Sequence, residues 1–172
     1  RMAQALETGI FAPGRMRILQ GIKDSCIIDD TYNASPVAME AALNVLGEIK
    51  TEGKKIAVLG DMLELGKHTT QEHKRIGKIA GGVCSKLLVV GPRSRGLVEG
   101  ALLGGISEKN IIEFGDAQEA GKYLEHILGS GDIVLVKGSQ RVRMEHTVAE
   151  IMAHPQSKAE LLVRQDPEWV ER

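Results

Sequence analysis

At 172 residues, with 42% hydrophobic and 26% charged side chains, the chain suits one folded domain with a buried core and short appendages. Its 22 Lys and Arg against 23 Asp and Glu leave no basic surface for nucleic acid or an anionic membrane. One Trp, two Tyr and two Phe are too few for base-stacking platforms, so the core is aliphatic.

The chain opens Arg1-Met2 and runs straight into helix-like sequence over Met2 to Leu6, as though continuing from something longer. No charged-then-apolar leader is read there, and no apolar run approaches the roughly 20 residues of a membrane span. Residues 1–21 read as a linker from a preceding domain, with a turn at Pro13-Gly14 and an edge strand from Arg15 to Leu19 ending at Gly21. Five short apolar runs follow: Cys26-Ile27-Ile28, Ile56 to Leu59, Leu87 to Val90, Ile111-Ile112 and Ile133 to Val136. Continuous β-branched runs of this kind mark strands buried on both faces.

Each run leads into a polar turn and then a helical period. After the first, Ser35 caps a helix with Pro36 at its first position, and Met39, Ala42, Leu43, Leu46 and Ile49 form one stripe. Further helices are predicted over 69–83, 93–103, 117–128 and 143–153. The β–α alternation implies a Rossmann-like three-layer α/β domain over 22–154, its mostly parallel sheet covered by helices on both faces. The polar tail, 155–172, reads as loosely attached, with Leu161-Leu162-Val163 and Trp169 as potential anchors. Cys26 and Cys84 have no partner at metal-ligand spacing and read as reduced structural thiols of a cytoplasmic protein.

No Gly-x-Gly-x-x-Gly or Gly-x-x-x-x-Gly-Lys-[Ser/Thr] is present; the stretch from Gly47 to Lys55 has one residue too many between its glycines and no hydroxyl after the lysine. The chain thus lacks a phosphate cradle and a magnesium-binding hydroxyl of its own. Nucleophile-elbow, His-Glu-x-x-His and Cys-x-x-Cys patterns are also missing.

Ligands of open α/β sheets gather at the carboxyl ends of the strands. Three such ends carry unusual clusters: Asp29-Asp30-Thr31-Tyr32-Asn33-Ala34-Ser35-Pro36, Gly60-Asp61-Met62-Leu63-Glu64-Leu65-Gly66, and Lys137-Gly138-Ser139 leading to Met144-Glu145. With Gly14-Arg15 before them, they resemble in order and spacing the C-terminal domain of the Mur ligases, over about residues 10–153. The likeness is greatest to the branch that joins D-alanyl-D-alanine to the UDP-N-acetylmuramoyl-tripeptide in peptidoglycan precursor synthesis. The family has three domains, and the resemblance implies that ATP and Mg2+ are held mainly by a central domain absent here. ATP there activates a carboxylate to an acyl phosphate, which the incoming amine attacks. This domain would contribute nucleotide contacts, a pocket for the amino substrate and a lid, with no catalytic group or metal ligand, and would be inactive alone.

Asp30 and Asn33 offer a short acceptor and an amide for a ribose or adenine edge, or equally an Asx-turn before the helix; the resemblance implies nucleotide contact by Arg15, Asp30, Tyr32 and Asn33. Ser35 replaces the family's more usual Asn and is given a capping role. Asp61 and Glu64 are placed near the cleft, against the plainer reading of a packed loop in which Asp61 bonds backbone donors. His73 could face the same cleft or be a plain surface histidine, and His68 reads as exposed. Lys137, Gly138 and Ser139 are expected to grip the carboxylate of the incoming dipeptide; Gln140 stands where the family commonly has arginine, with Arg141 next. Arg143 and Glu145 are expected to pair on the last helix. Other readings stay open: another ligase of the superfamily (folate polyglutamate, poly-γ-glutamate or cofactor-amidating), whose His-bearing segment is not matched; a non-catalytic nucleotide or peptide-binding module; and a dinucleotide oxidoreductase, disfavoured by the missing glycines.

Overall fold

The computed structural model describes residues 11–172, so the helix-like Met2 to Leu6 stretch lies outside the described residues. Strand β1 (Arg17–Gln20) pairs antiparallel with β2 (Cys26–Asp30). Then come helix α1 (Pro36–Glu48), β3 (Lys55–Gly60), α2 (Thr69–Val83), β4 (Lys86–Val90), α3 (Ser94–Gly104), β5 (Ile111–Phe114), α4 (Ala117–Ile127), β6 (Ile133–Lys137) and α5 (Glu145–Ile151). The sheet order is β1-β2-β6-β3-β4-β5, and every pairing after the first is parallel. The three-layer α/β architecture expected from the alternation is therefore present.

The apolar runs become strands because alternate residues bury against opposite layers. Ile28, Ala57, Leu59, Leu87, Val89 and Leu135 face α1, α2 and α3, while Ile27, Ile56, Val58, Leu88, Val90, Val134 and Val136 face α4 and α5. Each fully buried aliphatic side chain contributes about 1.5–3 kcal/mol of transfer free energy. Ser35 caps α1, its Oγ accepting from the Ala38 amide at 3.2 Å. Met39, Ala42, Leu43 and Leu46 form the buried stripe, and Ile49 falls just past the helix as its C-cap.

Two elements start two residues later than the sequence reading places them. The edge strand begins at Arg17 because Met16 takes a left-handed conformation (φ 50°) as its amide turns to Asp30. The last helix begins at Glu145, because Arg143 (φ 58°) breaks the chain between a 3-10 turn and α5.

The stretch from Pro155 is anchored, not loose. After Met152 bridges to Gly21, a 3-10 turn (Pro155–Ser157) and the short helix α6 (Lys158–Leu161) lead to Leu162, Val163 and Arg164, all buried. The single turn of helix α7 (Pro167–Val170) follows, with Arg143, Arg164 and Arg172 guanidinium carbons 5.2, 5.9 and 5.9 Å from the Trp169 ring centroid. Among the described residues, no helix is long and apolar enough to cross a membrane.

Candidate functional site

β6 lies between β2 and β3, so the carboxyl ends of these three strands share one rim. That register sets Asp30 beside Lys137, and the ammonium lies 2.7 Å from Asp30 Oδ2. The other Asp30 oxygen accepts from the Met16 amide at 3.0 Å, and Lys137 Nζ also donates to the Asn33 carbonyl at 2.9 Å. Asp30 is thus engaged on both oxygens, tying the linker, β2 and β6 together.

A cavity of about 510 Å³ opens above this pair. Tyr32 stands on its rim, 46% exposed, with the Arg15 guanidinium stacked 3.9 Å from the ring centroid. Asn33 and Lys137 complete its polar wall, and Ala38, Ala41, Ala42 and Val45 of α1 supply an apolar one. Lys137, expected at the dipeptide carboxylate, therefore belongs to the same cavity as Arg15, Asp30, Tyr32 and Asn33.

A second cavity, about 630 Å³, adjoins the first across Asn33, Ala34 and Ser35. Its lining is polar: Glu64, Arg93, Ser139, Gln140 and Arg141 surround Leu63 and Leu65. Two guanidiniums facing one carboxylate suit a small zwitterion. Glu64 holds its exposed position through a left-handed backbone (φ 63°).

Asp61 lines neither cavity. It is 1% exposed, and both carboxylate oxygens accept from the Arg93 amide at 3.1 Å. Burial raises its pKa, partly opposed by that amide and by the Arg93 guanidinium. Its carbonyl accepts from Ser139 N at 3.0 Å, and Ser139 Oγ accepts from Leu63 N at 2.8 Å. The Gly138-Ser139 turn is thereby fastened to the Gly60–Leu63 turn; a Cβ on Gly138 would sit 2.6 Å from Met144 Cγ and 3.0 Å from Gly60 Cα. The glycine serves the approach of two strand ends.

His73 is neither cleft-facing nor at the surface. Fully buried, it accepts from Met62 N through Nε2 at 3.0 Å, which leaves Nδ1 as the donor to the Thr69 carbonyl at 2.7 Å. It is a neutral core imidazole. His68 is exposed, as expected. The Arg143–Glu145 pair is present at 2.6 Å, with Arg143 just before α5.

Two adjoining cavities at the strand ends of a mostly parallel sheet, built from the motifs above, can be set beside known proteins. The family model for the Mur ligase, glutamate ligase domain, matches residues 14–140. The chain belongs to this family. A UDP-N-acetylmuramoyl-tripeptide–D-alanyl-D-alanine ligase of Bacillus subtilis (strain 168) is 29% identical over 144 residues, covering 83% of this chain and 31% of the relative. The ligase of the same name from Mycobacterium leprae (strain TN) is 35% identical over 150 residues, covering 78% and 29%. The crystal structure of MurF ligase from Thermotoga maritima in complex with ADP superposes with a TM-score of 0.69 at 29% identity, covering 89% of this chain and 33% of that one. The chain thus spans about a third of the length of the relatives it matches.

In this Mur ligase domain, residues outside the motifs complete the rim. Arg93 is the N-cap of α3, one strand further along the chain than the Asp61 it meets, and a lone Arg after Gly91-Pro92 carries no signal by itself. Arg141 was visible only as a neighbour of Gln140. Arg164, from the tail, reaches the back of the Thr31-Tyr32 turn, a contact that no spacing announces.

Proposed function

We propose that this domain is the closing half of an ATP-dependent ligase that adds D-alanyl-D-alanine to the UDP-N-acetylmuramoyl-tripeptide in the cytoplasm. The observation that carries this reading is the pair of adjoining cavities divided by Asn33, Ala34 and Ser35. The first fits a nucleotide: an exposed aromatic face stacked with a guanidinium, an apolar helix wall and the Asn33 amide. Stacking of a base on such a face contributes about 1–3 kcal/mol. The second fits a dipeptide, with Arg93 and Arg141 taking its carboxylate and Glu64 near its ammonium.

Bound ATP supplies the phosphoryl group that activates the tripeptide carboxylate. Tyr32 and Arg15 orient the base, and Asp30, held by Lys137, fixes the turn that carries them. Arg93, Arg141 and Glu64 hold the dipeptide across the dividing wall from the nucleotide, and closure of the domain excludes water from the activated carboxylate. We assign Mg2+ and the phosphates to a central domain in the part of the relatives' length that this chain does not span. Free thiols at Cys26 and Cys84 agree with a cytoplasmic setting.

Steady-state kinetics of the complete ligase tests the assignment. Tyr32→Ala is expected to raise KM for ATP, and Arg141→Ala to raise KM for D-alanyl-D-alanine, with the other constant nearly unchanged. Parallel changes in both constants for both variants would remove the basis for two separate sites. Measurable amide formation by the 172-residue chain alone would contradict the closing-half role.

A further inference from the structure

We infer that Arg164, from the C-terminal segment, is a positioning residue that sets the nucleotide-facing turn from behind. The inference rests on the nucleotide assignment of the first cavity. β2 ends at Asp30, and the carbonyls of the following Thr31 and Tyr32 are taken by a side chain that does not line the cavity. Arg164 takes both, donating through Nη2 to the Thr31 carbonyl at 2.7 Å and through Nη1 to the Tyr32 carbonyl at 3.1 Å.

The guanidinium is itself fixed. Nε and Nη2 bond the two Glu145 oxygens at 2.9 and 2.5 Å, a bidentate pair in which Arg164 is 9% and Glu145 1% exposed. Burial raises the Glu145 pKa, but the bonds from Arg164 and Arg143 outweigh it and hold the carboxyl below its ordinary value, so the pair stays charged at neutral pH. A single cation thus links α5 to the turn, and no other side chain donates to either carbonyl among the described residues.

The neighbouring residue closes the same turn from the linker side. Val163 packs on Gly14, whose carbonyl accepts from Tyr32 N at 2.9 Å. A Cβ on Gly14 would meet Val163 Cγ1 at 2.7 Å and Tyr32 N at 3.0 Å, and its φ of +71° favours glycine. Thr31 and Tyr32 are therefore gripped by Gly14 on one side and Arg164 on the other. Tyr32 alone of these reaches the cavity, where Arg15 stacks on it. Neither Val163 nor Arg164 lines the cavity, so their effect on a bound nucleotide passes through the turn.

The test uses the complete ligase and compares Arg164→Met, Arg164→Lys and Tyr32→Ala by KM for ATP, KM for D-alanyl-D-alanine and kcat. Loss of two charge-assisted bonds to the turn is expected to raise KM for ATP by about tenfold or more in Arg164→Met, with KM for the dipeptide nearly unchanged. Arg164→Lys, which keeps a cation at Glu145 but not the fork, is expected to fall between; should Arg164→Met fail to fold, this variant carries the comparison. A general loss of structure would lower kcat and disturb both constants together, and that result overturns the positioning role. An unchanged KM for ATP in Arg164→Lys and Arg164→Met, with Tyr32→Ala impaired, rejects the role of Arg164 and leaves the nucleotide site standing. An unaffected Tyr32→Ala rejects the nucleotide site itself.

Discussion

Lys137 and Asp30 are register partners on adjacent parallel strands, and their side chains meet 2.7 Å apart beneath the first cavity. The lysine side chain is 4% exposed and the aspartate 13%. Coulomb attraction in such a place is set against the desolvation of both ions, so the pair adds little net stability over an apolar substitute. Removing one partner is different. Lys137→Met strands the Asp30 charge with only the Met16 amide, and urea denaturation is expected to show a loss of about 3–5 kcal/mol. A loss under 1 kcal/mol would mean that water reaches Asp30 freely.

The preceding residue gives a second prediction. Asp29 is fully buried on the opposite sheet face, with Oδ1 taking the Thr31 hydroxyl at 2.6 Å and Oδ2 lacking a partner among the described residues. Burial pushes its pKa up to about 6, against the stabilising bonds from Thr31. Between about pH 4 and 6 the unfolded chain has released this proton while the folded chain keeps it, so this group makes stability fall as pH rises. The full difference is about 3 kcal/mol. Asp29→Asn removes it, so the variant's stability relative to the parent is expected to climb across that window. Glu145, shifted the opposite way, acts equally in both proteins and cancels. A constant difference from pH 4 to 7 would show that Asp29 is hydrated.

β3, β4 and β6 were legible because they are buried on both faces, so their apolar runs have no polar interruption. The edge strand was placed two residues early, since its start depends on the Met16 amide finding Asp30, a contact between segments. The motif residues do collect on one rim, but spacing could not say which way each points. Asp30 and Lys137 neutralise each other, and Asp61 turns inward because the β4–α3 turn delivers an amide to it. His73 was hidden for a similar reason. A histidine on an amphipathic helix reads as surface until the Met62 amide, eleven residues earlier in the chain, is known to need an acceptor.

That histidine supports a third prediction. His73→Leu fills similar space but leaves the Met62 N–H buried without an acceptor, and the expected loss is about 1–3 kcal/mol in thermal or urea unfolding. His73→Gln, which can offer an amide oxygen to the same donor, is expected to recover part of it. Equal stability of the two variants would show that the imidazole is there for volume alone.

Gly91 connects the buried Asp61 to the second cavity. Its φ is +114°, and a Cβ there would lie 2.6 Å from Asp61 Oδ2. Gly91→Ala therefore combines backbone strain of about 1–3 kcal/mol with displacement of the carboxylate that holds the Arg93 amide. Arg93, the N-cap of α3, lines the polar cavity, so the displacement reaches the proposed dipeptide site, while Tyr32 and Arg15 line the other cavity. In the complete ligase proposed above, the expected signature is a raised KM for D-alanyl-D-alanine with KM for ATP nearly unchanged. Gly66→Ala is the matched control: it also replaces a positive-φ glycine (+56°) in this region, but its Cβ would meet nothing within 4 Å. Its strain is smaller, because φ +56° lies in the left-handed region that other residues enter, and it leaves Asp61 alone, so it should lower stability modestly without separating the two Michaelis constants. If both variants shift the constants alike, strain and not the Asp61–Arg93 connection is responsible, and Arg93 loses its place in the dipeptide site.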